Sequence, residues 1–217
     1  MQPRPSAYIE RQIERMIDAA QFTKKDRLID IGCGIGKYTI ALLRRGYRVE
    51  GLDIAEGLLQ QLQSHNQTGL PLPVHSADIA KPPKALWEQY DAAIGFFALH
   101  HMFDLDQAFQ GIAKLLKPKG KLIFIEPNPY NFFYYIQILC TPKMTWKGEK
   151  GILKMRPASL LPAMKRAGFL HPAVHRSGFL PPFLADLKGG IALEKTLEAF
   201  PLWKGLLPFQ IFTAQKE

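Results

Sequence analysis

The chain has little of what characterises a secreted or membrane-spanning protein. Its 217 residues include two cysteines, Cys33 and Cys140, too few for a disulfide framework and not arranged as a paired metal motif. Charged residues interrupt the N-terminal segment, which leaves no apolar stretch typical of a signal peptide. The longest aromatic and aliphatic run, Phe132 to Cys140, is far shorter than the ~20 residues that cross a bilayer. We therefore expect a cytoplasmic protein without a transmembrane segment.

An excess of positive charge is the most unusual feature of the composition. The formal net charge is +9, and such a charge can indicate a nucleic-acid partner or an anionic membrane. The lysines are dispersed, with modest excesses at Lys114–Lys121 and Lys143–Arg156. No helix-turn-helix, RNA-recognition or zinc-finger pattern accompanies them. We expect a solvated basic surface and no nucleic-acid partner.

Short apolar runs alternate with amphipathic helical patterns, and the chain has no internal repeat. This alternation is typical of βαβ units and a parallel sheet. The predicted strands of the first part are Arg27–Ile31, Arg48–Leu52, Leu72–His75, Asp91–Phe96 and Lys121–Ile125. The predicted helices are Tyr8–Ala20, Tyr38–Arg45, Ala55–His65 and Asp106–Leu116, the last followed by a predicted Pro-Gly stop at Lys117–Gly120.

The alternation breaks after Glu126, where residues 127–155 combine six aromatic residues with prolines and lysines. This composition indicates an insertion over the sheet. Beyond it we predict a helix at Pro157–Ala167, a strand at Ala173–Gly178 and a Pro-rich bend at Pro181-Pro182. A helix at Leu193–Phe200 and a last strand at Phe209–Ala214 follow. We expect one domain over residues 1–217, divided into a core (25–126), an insertion (127–155) and a C-terminal part of the sheet (156–217).

Three glycines at alternate positions, Gly32, Gly34 and Gly36, follow the first apolar strand. Without Cβ atoms the chain can turn sharply there and let a ligand lie against the backbone, and the next helix offers its unpaired N–H groups to an anion. The G-x-G-x-x-G dinucleotide pattern fails because residue 37 is Lys37. The phosphate-binding G-x-x-x-x-G-K-[ST] pattern fails at Ile31 and at Tyr38. A purely structural turn remains the alternative.

Asp53 ends the second predicted strand, about 20 residues after the glycine loop, where an acid commonly holds ribose hydroxyls. A carboxylate accepts hydrogen bonds from both hydroxyls, and its charge would repel a 2′-phosphate. The competing interpretation is a helix cap. The register of Asp53 with the glycine loop favours ligand binding.

These motifs and three later segments occur together in the order typical of one family. The later segments are Ser76–Ile79, Tyr90–Ile94 and Leu115–Leu122. Over residues 25–126 the chain resembles the class I S-adenosylmethionine-dependent methyltransferases of the small-molecule branch, similar to methyltransferase types 11 and 12. The resemblance implies an α/β, Rossmann-like fold: a seven-stranded, mostly parallel sheet with an antiparallel last strand, helices on both faces and a lid insertion after strand five.

The resemblance also implies a cofactor site for S-adenosylmethionine, with S-adenosylhomocysteine as the product. The glycine loop would wrap the methionine portion, Asp53 would hold the ribose, Asp78 would accept from the adenine amino group, and strand four would close over the cofactor. The implied cofactor-binding residues are Asp30, Gly32, Cys33, Gly34, Gly36, Asp53, Ile54, Asp78, Ile79, Gly95 and Phe96.

Two consecutive histidines, His100 and His101, follow strand four at the mouth of the expected pocket. A histidine there could deprotonate an acceptor hydroxyl, because its pKa is near neutrality. In the alternative interpretation, one histidine caps the following turn and the other lines the pocket and contributes only to its shape. Related quinone-pathway O-methyltransferases carry an E-x-x-E-H pattern here that is associated with a metal. This chain has Phe97, His100 and His101 at those positions, so we expect no metal.

The function expected from the sequence is methyl transfer to a small or lipid-like acceptor, most readily at oxygen. The alternatives are N- or C-methylation, or a non-catalytic protein that only binds S-adenosylmethionine. Glu126, at the end of strand five, either orients the acceptor or acts as a base, or else it caps the strand. The aromatic insertion after it either forms a lid over the acceptor, with peripheral membrane contact, or packs on the sheet edge.

Overall fold

The computed structural model describes residues 6–140, 145–178, 189–198 and 201–217. Its seven strands form one sheet in the order β3-β2-β1-β4-β5-β7-β6. The strands are β1 (Arg27–Ile31), β2 (Arg48–Asp53), β3 (Val74–Ser76), β4 (Tyr90–Phe96), β5 (Leu116–Pro127), β6 (Phe169–Ser177) and β7 (Phe209–Lys216). The first five pair in parallel, and β7 runs antiparallel to both β5 and β6. The expected Rossmann-like sheet is confirmed.

Helices cover both faces of the sheet, as expected. Those in the described part of the chain are α1 (Ala7–Ala20), α2 (Lys37–Arg44), α3 (Glu56–His65), α4 (Leu105–Leu115), α5 (Phe132–Cys140), α6 (Trp146–Glu149), α7 (Pro157–Arg166) and α8 (Gly190–Glu198). Within the described residues, none of the helices combines the length and the apolar character needed to cross a bilayer.

The period-two alternation of β1 divides the hydrophobic core between the two faces of the sheet. Leu28 packs with residues of α1, α2 and α3, whereas Ile29 and Ile31 pack with α4 and α7. All three side chains are buried. Because both faces are covered, the central strands β1 and β4 are buried along nearly their whole length, which explains why short apolar runs predicted them.

The chain reverses its direction of winding between β1 and β4, which are neighbours in the sheet. A crevice opens at such a point beyond the carboxyl ends of the strands, and ligands of open α/β sheets bind there. The glycine loop after β1, the end of β2 and the turn after β4 all lie at this edge. The topology alone therefore brings the predicted site residues together.

Several sequence predictions about the elements need correction or qualification. The strand predicted at Ala173–Gly178 begins at Phe169, and the helix predicted at Leu193–Phe200 begins at Gly190. The third strand is Val74–Ser76, two residues later at its start than predicted, because Pro71 and Pro73 precede it. Lys117–Gly120 is not a separate stop: it is an irregular stretch of β5, which pairs at Leu116 and again from Lys121 onward. The predicted bend at Pro181-Pro182 and the end of the helix at Phe200 lie outside the described residues.

The insertion after β5 contains α5, α6 and a short 3-10 helix, Lys150–Lys154. Side-chain amides tie its start to the segment before β7: Asn128 donates to the carbonyl oxygen of Leu207 at 2.7 Å, and Asn131 donates to that of Leu206 at 2.5 Å. At its end, Gln210 of β7 donates to the carbonyl oxygen of Met155 at 2.9 Å. Both ends of the insertion are thus fixed to the sheet.

Candidate active site

The glycine loop packs tightly against two neighbouring elements. A Cβ atom at Gly32 would come within 2.7 Å of the Cβ of Ala98, and one at Gly36 within 2.5 Å of the side chain of Leu62. Gly34 has open space in front of its missing Cβ and a φ of +53°, a conformation that glycine adopts without strain. The loop is therefore packed against neighbouring side chains at Gly32 and Gly36 and unobstructed at Gly34.

Asp53 holds the glycine loop across this crevice. Its Oδ2 accepts the backbone N–H of Gly34 at 2.9 Å, and its Oδ1 accepts that of Ala55 at 2.9 Å. A carboxylate has about four lone-pair sites, so capacity for two further donors remains. Capping and ligand binding, which the sequence presents as alternatives, are compatible at this residue.

A cavity of about 550 Å³ opens at this edge of the sheet. It is lined by Gly32, Asp53, Ile54, Asp78 and Ile79. This cavity size is typical of sites for small molecules and cofactors. Five of the predicted cofactor-binding residues thus share one cavity, although they come from three separate loops.

The other predicted cofactor residues lie beside or behind the cavity. Asp30 is buried under the loop, where it accepts the hydroxyl of Thr39 at 2.6 Å; burial, and to a lesser degree the charge of Asp53, raises the pKa of Asp30 to about 7. Cys33 is buried near Gly51, and burial strongly raises the pKa of its thiol. These two residues support the loop from within the core.

The end of β4 is arranged differently from the sequence expectation. Gly95 accommodates the ring of Phe124, which would lie 2.2 Å from an added Cβ. Phe96 is buried and stacks on Tyr38 with 3.9 Å between ring centroids. Phe97, which has a left-handed φ of 56°, lines the cavity instead. Gly95 and Phe96 are thus outside the cavity wall, and Phe97 is the aromatic residue that faces it.

The structure separates the two predicted catalytic histidines. His101 is exposed and lines the cavity, whereas His100 is buried behind it. Glu126, fully buried at the end of β5, accepts the backbone N–H groups of Ala98 and Leu99 at 2.8 and 2.6 Å and His100 Nδ1 at 2.6 Å. Glu126 therefore fixes the turn that carries both histidines.

Contacts between distant elements add three residues that the sequence analysis missed. A Cβ at Gly111 of α4 would lie 1.7 Å from the carbonyl oxygen of Ile79, and one at Gly151 would lie 1.6 Å from that of His100. Glu149, at the end of α6, places Oε2 at 3.5 Å from His100 Nε2. No local pattern marks these residues, because their roles depend on tertiary packing.

Residues 29–124 match the family model described as "Methyltransferase domain". This part of the chain is similar to a methyltransferase domain. This match covers the glycine loop, Asp53, Asp78 and both histidines, so the resemblance expected from the motifs is confirmed. The match ends within β5, before the insertion.

Individual relatives agree with this match. A ubiquinone biosynthesis O-methyltransferase from Coxiella burnetii is 32% identical over 130 residues, which are 59% of this chain and 51% of the relative. An S-adenosyl-L-methionine-dependent Diels-Alderase from Talaromyces variabilis is 25% identical over 122 residues, which are 54% of this chain and 42% of the relative. The chain thus matches only about half the length of the curated relatives.

The fold has close counterparts among solved structures. A SAM-dependent methyltransferase from Archaeoglobus fulgidus superposes with a TM-score of 0.69 at 18% identity, covering 99% of this chain and 96% of that one. At this level of identity the agreement concerns the fold. It extends over the whole chain, including the region after the matched methyltransferase domain.

Proposed function

We propose that this protein is an S-adenosylmethionine-dependent methyltransferase that methylates a small or lipid-like acceptor at oxygen. The observation that carries the proposal is the arrangement of Asp53, whose carboxylate accepts the Gly34 N–H at 2.9 Å and lines the cavity. An acid in this position connects the glycine loop to the place where ribose hydroxyls would lie.

The residues around the cavity suit a nucleoside joined to an amino acid. Asp53 would accept the two ribose hydroxyls, and Asp78, whose Oδ1 already accepts the Ala80 N–H at 2.9 Å, is preoriented for the adenine amino group. Ile54 is 71% exposed at the cavity wall and Ile79 is buried in it, so an adenine ring between them would cover apolar surface.

The methionine portion would lie along the glycine loop. The N-terminus of α2 follows Gly36, and no side chain caps it, so its N–H groups suit the carboxylate of an amino acid. Phe97 and Gly32 line the adjacent wall of the cavity, and neither residue carries a positive charge. A positive sulfonium is compatible with such a surface.

The chain's own contribution to the chemistry would be positioning. When bound, the cofactor supplies an electrophilic methyl group. Holding an acceptor oxygen in line with that group accounts for much of the acceleration expected of such a site. His101 lines the cavity and is placed to take the proton of an acceptor hydroxyl. His100 is engaged by Glu126 and acts as a positioning residue for this turn.

The insertion is the candidate for acceptor recognition, and its exposed aromatic surface supports a lipid-like acceptor. Phe132, Phe133, Ile136 and Leu139 of α5 are 53%, 64%, 48% and 84% exposed. The ubiquinone-pathway relatives, whose names specify O-methylation, favour oxygen over nitrogen or carbon. We infer that the insertion forms a lid that closes over the bound cofactor.

Isothermal titration with S-adenosylmethionine, S-adenosylhomocysteine, NAD and ATP tests the cofactor. We expect binding of the first two only; NAD binding without S-adenosylmethionine binding would reject the proposal. An acceptor screen of phenols, amines and carbon acids, scored by release of S-adenosylhomocysteine, tests the reaction. Release with phenols supports O-methylation, whereas cofactor binding without release for any acceptor supports the non-catalytic alternative.

A further inference from the structure

His100, His101 and Glu149 bring three metal-binding side chains together beside the cavity. Each offers one ligand atom, and these atoms all lie within 4.8 Å of one another. The histidines belong to the 3-10 turn after β4, and Glu149 belongs to the insertion. The cluster therefore joins the matched methyltransferase domain to a segment outside it.

The orientation of His100 is set from behind by Glu126. Because Glu126 accepts His100 Nδ1 at 2.6 Å, the proton of a neutral imidazole is on Nδ1, and the lone pair of Nε2 points the other way. That lone pair faces Glu149 Oε2 at 3.5 Å. Two acceptor atoms this close repel each other unless a proton or a metal ion lies between them. A carboxylate behind a histidine is also the usual support of a metal-binding imidazole.

The other two side chains are held in place as well. Tyr134 donates its hydroxyl to Glu149 Oε2 at 2.8 Å, and the ring of His101 packs against that of His100 with 3.9 Å between the centroids. Gly151 lets the insertion approach the His100 backbone closely. Neighbours outside the cluster thus fix His100 and Glu149, and His101 packs on His100.

We propose that His100, His101 and Glu149 form a binding site for a divalent transition metal ion, with Zn²⁺ the best match. Two imidazoles and one carboxylate are the ligands that Zn²⁺ prefers, whereas Mg²⁺ and Ca²⁺ prefer oxygen ligands alone. Three protein ligands leave a coordination position open. Since His101 also lines the cavity, that position would be accessible to an acceptor oxygen.

This inference departs from the sequence expectation of no metal. That expectation considered only the positions of Phe97, His100 and His101, one of which lacks a ligand atom. The third ligand comes from Glu149 in the insertion, which local spacing does not reveal. The inference does not depend on methyl transfer, because it concerns metal binding by the resting protein.

The test is metal binding by the full chain. Chelator-treated protein is dialysed against Zn²⁺ and its metal content is measured by mass spectrometry; Co²⁺ is added to a separate metal-free sample and its visible absorption recorded. We expect one equivalent of metal and a Co²⁺ spectrum typical of nitrogen and oxygen ligands. Glu149→Gln and His101→Gln should each weaken binding by more than the about tenfold to hundredfold typical of losing a supporting residue.

His171→Gln, which changes an exposed histidine of β6, is the matched control and should bind metal like the wild type. Thermal unfolding and titration with S-adenosylhomocysteine, both on metal-free protein, verify that the variants are folded. Substoichiometric binding by the wild type, or equal binding by wild type and Glu149→Gln, would overturn the site. Metal binding without cofactor binding would instead contradict only the proposed function.

Discussion

Gly111 of α4 lies directly against the backbone of Ile79, so that a Cβ added at residue 111 would come within 1.7 Å of the Ile79 carbonyl oxygen. This contact connects a helix of the core with the cavity wall. Gly111→Ala must therefore move α4 or the segment that carries Asp78 and Ile79. We expect a loss of ~1–3 kcal/mol in the free energy of unfolding, as for other overpacked cores.

The same substitution should weaken binding of S-adenosylhomocysteine by about tenfold, the equivalent of ~1.4 kcal/mol. Calorimetric titration and urea unfolding measure the two effects. Gly57→Ala in α3, where nothing lies within 4 Å of the added Cβ, is the control and should leave affinity and stability close to wild type. Equal behaviour of the two variants would show that α4 adjusts without moving the cavity wall.

Asp53 should contribute to cofactor affinity through its charge. In Asp53→Ala both ribose hydrogen bonds are lost, and hydrogen bonds to charged groups contribute ~1.5–3 kcal/mol each. We expect S-adenosylhomocysteine binding to weaken by at least this amount in calorimetric titration. Asp106→Asn, a substitution of a surface carboxylate on α4, serves as the control. Unchanged affinity in Asp53→Ala would mean that Asp53 only accepts the backbone N–H groups of Ala55 and Gly34 and does not bind the cofactor.

Of the two histidines, His101 should matter more for turnover because it lines the cavity. In metal-free protein, where the His101 imidazole can act as a base, His101→Ala should reduce the release of S-adenosylhomocysteine with a phenolic acceptor by about 100-fold, the usual contribution of general base catalysis. Affinity for S-adenosylhomocysteine, measured separately, should stay close to wild type. Turnover preserved in His101→Ala would mean that positioning alone drives the reaction.

Stability should fall in acid because of Glu50 in β2. Its Oε2 accepts His75 Nε2 and the Tyr90 hydroxyl, each at 2.8 Å, and its Oε1 accepts Arg27 Nε at 2.6 Å. Burial alone would raise the pKa of Glu50, but these three hydrogen bonds hold it at about 2. Because the pKa of Glu50 is lower in the folded protein than in the unfolded chain, Glu50 stabilises the fold at pH values above the ordinary pKa of a glutamate. This stabilisation is lost as the pH falls towards 2.

The free energy of unfolding should therefore drop by ~3 kcal/mol from this group between about pH 6 and about pH 2. Urea unfolding across this range measures the drop. Glu50→Gln removes the titration, so the variant should be less stable near neutral pH and should lose less on acidification. Parallel pH curves for the two proteins would exclude Glu50 as the source.

The lid hypothesis predicts a change in hydrogen exchange. Amides of α5 and α6 should exchange more slowly when S-adenosylhomocysteine is bound, whereas strong protection in the free protein, unchanged by the cofactor, would indicate a permanently packed segment.

The membrane hypothesis predicts co-sedimentation with anionic vesicles at low salt, since each lysine near the surface contributes ~1 kcal/mol. Leu139→Ser should reduce it, and Leu170→Ser on β6 should not.

The sequence predicted the parts of the structure that rest on local patterns. The strand Arg27–Ile31 has the predicted bounds, since an apolar run followed by glycine specifies it without help from distant residues. The site residues converge because the topology places strand ends at one edge. Contacts of Gly111 and Gly151 could not be predicted, because a close approach between backbones far apart in the chain leaves no periodic pattern in either segment.

The strand order has a consequence for how the protein folds as it is synthesised. Among the strands of the described residues, β6 pairs only with β7, and β7 occupies the position between β5 and β6. When β6 leaves the ribosome it has no edge to join, and β5 keeps one side open until β7 arrives. Completion of the sheet therefore waits for residues 209–216, and a nascent chain paused before them would expose unpaired edges that favour aggregation.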